Sequence, residues 1–214
     1  MAARGEHEIV DEWLRTWVHV RELTVTRFDG WPLVQVGSRT RETELVCVDP
    51  GIDETAALMR HVDGDPRAML TVLAADVRPY LAIASPPGTR VDRDDETLMS
   101  APLGPTIASH PGTEYEVRWE RAPHRVTYVL ESGGSIAAEG TVGVLGPVAT
   151  FDQIETSPRF RRRGLGTHVM AALTAEAHER GATHGVLAAS APGRELYSAL
   201  GWSPTLAMVS WMGA

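Results

Sequence analysis

The apolar positions fall into two alternating rhythms. Ile9, Val10, Trp13, Leu14, Trp17 and Val18 come in pairs four apart, the stripe of an amphipathic helix. Three β-rich runs follow at Glu22–Arg27, Leu33–Gly37 and Thr43–Val48, with Asp29-Gly30 marking a turn between the first two. Asp53 is expected to cap a short helix through Leu58, Met59 and Val62 that stops at Gly64. Met69–Leu73 reads as a strand, Asp76 as the cap of a further helix that carries Pro79 in its first turn, and Thr97–Ala101 as a last strand. Pro102 to Gly112 is the one linker-like stretch.

Beyond it, Tyr115–Trp119, Arg125–Glu131, Ile136–Leu145 and Val148–Thr156 alternate as an antiparallel meander, with Ser132-Gly133-Gly134-Ser135 and Gly146-Pro147 as turns. Leu165, Val169, Leu173 and Ala177 recur every fourth residue, so a helix follows and Gly181 ends it. Gly185–Ser190 is expected as a strand, Pro192–Leu200 as a helix, and Leu206–Met212 as the strand that closes the sheet. Helices interleaved with strands predict an α/β fold, divided as an N-terminal lobe at 1–108 and a second domain at 109–214.

Composition narrows the function classes. With 214 residues and 43% hydrophobic content, the chain can bury a core as one large or two small domains. Twenty Lys and Arg against 28 Asp and Glu, a formal charge of −8, argue against nucleic acid and make basic partners more natural. Cys47, the single cysteine, lies in Leu45-Val46-Cys47-Val48 and reads as an inert buried thiol. No metal site is expected: His110, His124, His168, His178 and His184 lack ligand spacing, although His168 is a candidate to lie near a bound anion. No run nears eighteen apolar residues and Met1 to Glu8 holds no signal core, which predicts a soluble cytoplasmic protein without a membrane partner.

One stretch carries chemistry. Thr156-Ser-Pro-Arg-Phe-Arg161-Arg162-Arg163-Gly164-Leu165-Gly166-Thr167 joins a strand to a helix, so free backbone N–H groups and the positive helix end converge on one spot. Gly164 and Gly166 allow close approach of a bulky ligand, and the three arginines offer charge-assisted contacts. A dinucleotide fingerprint fails at Val169, and a P-loop fails for want of Gly-Lys-Ser/Thr. A merely solvated arginine patch stays open on these residues alone.

Arg161-x-x-Gly164-x-Gly166, with Phe160 before it, resembles the acetyl-CoA pyrophosphate loop of the GNAT superfamily of N-acetyltransferases. Gly193-Arg-Glu-Leu-Tyr197-Ser-Ala-Leu-Gly201-Trp202 is similar to that family's last helix and the turn after it, and the resemblance spans roughly residues 115 to 214. It implies a mixed, mostly antiparallel sheet flanked by helices, the N-terminal lobe being either a degenerate GNAT-like half or an unrelated accessory. It also implies acetyl-CoA as cofactor, with the strands at Val148–Thr156 and Gly185–Ser190 splayed around the pantetheine arm. Main-chain groups of Ile154, Glu155 and Thr156 would pair with that arm, Arg161 to Thr167 would hold the phosphates, and Ser190 stands where many members place an asparagine that touches the cofactor.

The implied activity is acetyl transfer to a primary amine of a small molecule or peptide; a non-catalytic acyl-CoA-binding module and a plain interaction protein are the alternatives. Freeing a lysine-like amine of its proton at neutral pH takes roughly 4 to 5 kcal/mol, so a base is expected. Asp152 and Glu155 are the candidates, on opposite faces of their strand unless a bulge intervenes. A backbone N–H on that strand would support the oxyanion, and Tyr197 matches the family's usual general acid. The acceptor is unspecified, and a homodimer is left open. The N-terminal half lacks an Arg/Gly loop: its strand-to-helix junctions carry Asp53 and Asp76 where an anion would sit, predicting one acetyl-CoA per chain.

Overall fold

The computed structural model describes residues 5–214; the first four residues of the segment read as lacking a signal core lie outside them. Helix α1 (Glu6–Val20) places Glu6 and Glu8 at its positive end and buries Ile9, Val10, Trp13, Leu14, Trp17 and Val20. Strands β1 (Thr24–Phe28), β2 (Trp31–Gln35) and β3 (Thr43–Val48) form an antiparallel meander. Helix α2 (Ile52–Val62) crosses to β4 (Ala68–Ala74), which runs parallel to β3. A single turn, α3 (Arg78–Leu81), leads to β5 (Thr89–Pro102), far longer than the strand expected at 97–101.

The second half repeats this order. Strands β6 (Glu116–Arg121), β7 (Arg125–Ser132), β8 (Ser135–Leu145) and β9 (Val148–Thr156) form the antiparallel meander. Helix α4 (Leu165–Glu179) crosses to β10 (His184–Ala189), parallel to β9, and α5 (Ala191–Ala199) leads to β11 (Ser203–Gly213). The eleven strands of the described residues join one mixed, mostly antiparallel sheet in the order β1-β2-β3-β4-β11-β5-β10-β9-β8-β7-β6. Each half thus gives its last strand to the other: β5 pairs with β10, β11 with β4, and the two with each other. The expectation that the final strand closes the sheet is therefore corrected, because β11 lies at its middle.

Alternation along the strands sorts the core by face. Val148, Val186, Leu98 and Met208 pack with α1, while their neighbours Ala149, Leu187 and Met99 pack with α4 and α5 on the other side. Leu45, Leu70, Val209 and Trp211 pack with α2 and α3 on that same far side. Cys47 is free and fully buried, and burial pushes its thiol up, as expected of an inert residue.

Two expected caps are corrected. Gly51, not Asp53, is the N-cap of α2: the chain enters there in extended conformation, and Glu54 reaches back to accept the Gly51 N–H at 3.2 Å. Val77 precedes α3, with Asp76 one residue earlier accepting the Arg78 N–H at 3.0 Å and pairing with its guanidinium.

Candidate active site

The site is built where β9 and β10 part. They pair only at Val148–His184, Ala149–Gly185 and Thr150–Val186, so from Phe151 onward the facing edge of β9 has no strand partner. In the first half, β3 and β4 pair without interruption from Thr43–Ala68 to Val48–Leu73 and leave no such opening.

The free stretch of β9 carries a bulge. Thr141 faces Asp152 and Glu139 faces Glu155, so three steps on β9 match two on β8, with Gln153 in left-handed conformation at φ 54°. Since Glu139 and Thr141 share a face, Asp152 and Glu155 share one too; the bulge overrides the opposite-face spacing. Gly140 makes room for the kink, because a Cβ there would meet Ile154 Cδ1 at 2.5 Å and Leu173 Cδ1 at 2.9 Å.

After β9 the Ser157 N–H bonds to Ala137 O at 3.0 Å, and a 3-10 turn at Pro158–Phe160 buries the Phe160 ring. Arg159 and Arg163 lie over that ring at 4.7 and 5.4 Å. Arg161 donates to Thr156 O at 3.2 Å, and Arg162 (φ 63°) and Gly164 (φ 78°) turn the chain into α4. No side chain caps α4 and no acid sits in its first turn, so its leading N–H groups have no acceptor from the cap. Gly166 lies close under α5, its virtual Cβ 3.0 Å from Leu196 Cδ2.

A groove of about 620 Å³ runs along these parts. Ile154, Glu155, Thr156, Arg161, Arg162 and Gly164 line one stretch, and Leu165, Gly166, Thr167 and Ser190 line the rest with Pro192, Gly193, Glu195, Leu196 and Tyr197 of α5. Of the expected cofactor residues, only Arg163 is absent from the lining; its guanidinium lies against Phe160 and donates to Arg159 O at 3.4 Å. His168 is also turned away: its ring is buried and shares a 2.7 Å hydrogen bond with Tyr128 Oη, and burial depresses its pKa. That placement corrects the expectation of a histidine near the anion.

Ser190 has a role that the sequence reading missed. It is the N-cap of α5, accepting the Gly193 N–H at 3.4 Å. The helix it starts carries Tyr197, 6% exposed, whose ring centroid lies 6.1 Å from that of Trp202 and against Gly193. Burial first, and then the negative charge of Asp152, push the Tyr197 phenol up to about 12. It is therefore a neutral O–H near neutral pH.

Asp152 is half-buried and forms an ion pair with Arg21, the residue that ends α1. This pair borders two cavities on the α1 face, one of about 500 Å³ toward β7 and one of about 150 Å³ beneath Trp13 and Trp17. Arg21 escaped the sequence reading, yet it continues the Trp13 and Trp17 spacing by one helical turn. Among the described residues no cluster of His, Cys, Asp or Glu is arranged for a metal, and no helix is long and apolar enough to cross a membrane.

Comparison with known proteins agrees with this architecture. The chain resembles a GCN5-related N-acetyltransferase from Kribbella flavida, at 14% identity and TM-score 0.68 over 99% of this chain and 96% of that one. It resembles a GNAT-family protein from Novosphingobium aromaticivorans, at 17% identity and TM-score 0.63 over 96% and 99%. A tandem GNAT protein from the clavulanic acid biosynthesis pathway aligns over 97% and 96%, at 14% identity and TM-score 0.52. These likenesses establish the fold. No curated protein gives a significant sequence match. The family model described as acetyltransferase (GNAT) family matches residues 96–202, half of the chain, and spans β9, the Arg/Gly loop, α4 and Tyr197; the chain belongs to the GNAT acetyltransferase family.

Proposed function

We propose that the protein transfers an acetyl group from acetyl-CoA to a primary amine. The observation that carries this reading is the groove itself, which gathers an unpaired strand edge, an uncapped helix start beside two arginines, and a neutral buried phenol. These features fit the cofactor part by part. The α4 N–H groups with Arg161 and Arg162 suit its phosphates, and the free edge of β9 suits the amides of its pantetheine arm. Acetyl-CoA supplies an acetyl group activated as a thioester.

The chain's own residues then manage protons. Asp152 lies on the α1 side of the opening and accepts the proton of the amine, a task that its half-buried position and proximity to Tyr197 favour over exposed Glu155. Tyr197 holds a proton at Oη for the departing sulfur, and main-chain N–H groups on the edge of β9 that β10 does not pair support the carbonyl oxygen. Thiol release from acetyl-CoA against a panel of amines tests the activity. Amine-dependent release is expected; tight cofactor binding without release for any amine would favour a non-catalytic acyl-CoA-binding module.

A further inference from the structure

The cavity of about 150 Å³ lies on the α1 face, next to the opening between β9 and β10, and its walls come from both halves of the chain. Trp13 and Trp17 stack in parallel above it, ring centroids 5.7 Å apart, while Ala188, Met208 and Ser210 contribute sheet positions. Three carboxylates and three guanidiniums line it, and they are already matched: Arg21 with Asp152, Arg41 with Glu44, and Arg93 with Glu96. Glu44 is 4% exposed and also accepts from Thr71 Oγ1 at 2.7 Å. Arg93 Nη1 lies 3.2 and 3.4 Å from the two Glu96 oxygens, and Arg41 sits 5.7 Å from the Trp17 ring centroid. The formal charge of −8 for the whole chain is therefore not concentrated here; this pocket is balanced.

A balanced array selects against one kind of amine. A polyamine or polycationic sugar would bring several positive charges to carboxylates that already have partners, facing three fixed guanidiniums at close range. The larger cavity beyond the Arg21–Asp152 pair offers little relief: Arg121 and Arg125 line it, and its one further carboxylate, Glu120, is already paired with Arg118. A ligand that carries both signs can instead enter the alternation, its ammonium beside a carboxylate and its anionic group beside a guanidinium.

We infer that the acceptor is a compact amine that also bears an anionic group, bound beneath Trp13 and Trp17 with its nitrogen at Asp152 and its anion toward Arg93 and Arg41. This rests on the acetyl-transfer reading and names the acceptor class for that same site. The reaction forms an amide N–C bond and breaks the thioester C–S bond; the bound ammonium loses two protons, one through Asp152 to solvent before attack and one from the nitrogen to solvent after it, and the sulfur departs as the thiol with the Tyr197 proton. The phenol is then restored from solvent.

Matched pairs of amines test it by thiol release: glycine with methylamine, γ-aminobutyrate with propylamine, L-phenylalanine with phenethylamine, and spermidine as the polycation. At least one zwitterion should exceed its partner and spermidine in kcat/KM by about tenfold or more, the least that a charge-assisted contact is worth. Arg93→Met should erase that preference through KM, with kcat held within about twofold, and Arg93→Lys should restore part of it. Circular dichroism checks that both variants fold. Equal or better use of spermidine or of the plain amines overturns the inference, as does an unchanged preference in a folded Arg93→Met. Calorimetry separates the two readings: acetyl-CoA binding is measured alone, and the zwitterions are titrated without it. If acetyl-CoA binds but no zwitterion binds or reacts, only the acceptor inference falls; if acetyl-CoA does not bind, the acetyl-transfer reading falls first.

Discussion

Replacing Tyr197 with phenylalanine removes one oxygen and leaves the ring packed against Trp202 and Gly193. The raised phenol pKa of about 12 leaves about one hydroxyl in ten thousand ionised at pH 8, so nearly every molecule carries the proton to be donated. Loss of that donor should lower kcat by about 10²-fold, equivalent to about 2.7 kcal/mol of barrier, with acetyl-CoA affinity unchanged. A purely structural tyrosine behaves differently. Its loss would appear in stability and in cofactor affinity, with kcat preserved. The phenol also links to pH: its folded-state value lies above the free value of 10.0, so its contribution is complete below pH 10 and disappears as pH rises toward 12. A shift of that size corresponds to up to about 3 kcal/mol, and Tyr197→Phe should flatten the fall in stability across that window. Steady-state kinetics at pH 8 and urea melts from pH 9 to 12 measure both effects. Unchanged kcat with a good acceptor would falsify the assignment of Tyr197 as acid.

Other substitutions probe neighbouring parts. Asp152→Asn should lower kcat/KM for the acceptor by about 10²-fold while calorimetric acetyl-CoA affinity stays within about twofold, whereas Glu155→Gln should change turnover little. Gly164→Ala forces a side chain into left-handed conformation and should cost about 1 kcal/mol in a denaturant melt. Gly143→Ala should destabilise by about 1 to 3 kcal/mol, because its Cβ would collide with Val20 and come within 2.7 Å of His124 O where α1 crosses β8.

Much of this was written locally in the chain. Val148–Thr156 fell on its strand residue for residue, and the 3.6-residue stripes placed α1 and α4, because an amphipathic face shows its period without knowledge of its partner. The Arg/Gly loop was legible for the same reason, since its chemistry lies in adjacent residues. The exchange of β5 and β11 was not, because strand partners far apart in sequence leave no local mark. Nor was the bulge at Gln153, which lacks the glycine that often signals positive φ and depends on Gly140 across the ladder. The Asp53 and Asp76 caps failed because Glu54 and the approach through Gly51 competed for the same helix start, and because α3 is only one turn. The cavity beneath Trp13 and Trp17 was invisible in the sequence because its charges come from four separate segments of chain around residues 21, 41–44, 93–96 and 152.

The most direct measurement is calorimetric titration of the full chain with acetyl-CoA, beside the same titration of Gly166→Val. Among the described residues, only β9 and β10 open a space between parallel strands and lead into an uncapped helix; β3 and β4 pair through Val48–Leu73, and Glu54 occupies the start of α2. One acetyl-CoA per chain is therefore predicted. Binding should be lost in Gly166→Val, whose side chain crowds Leu196 at the groove, while its circular dichroism spectrum stays native. A stoichiometry near two, no binding by the native chain, or undiminished affinity in Gly166→Val would contradict it.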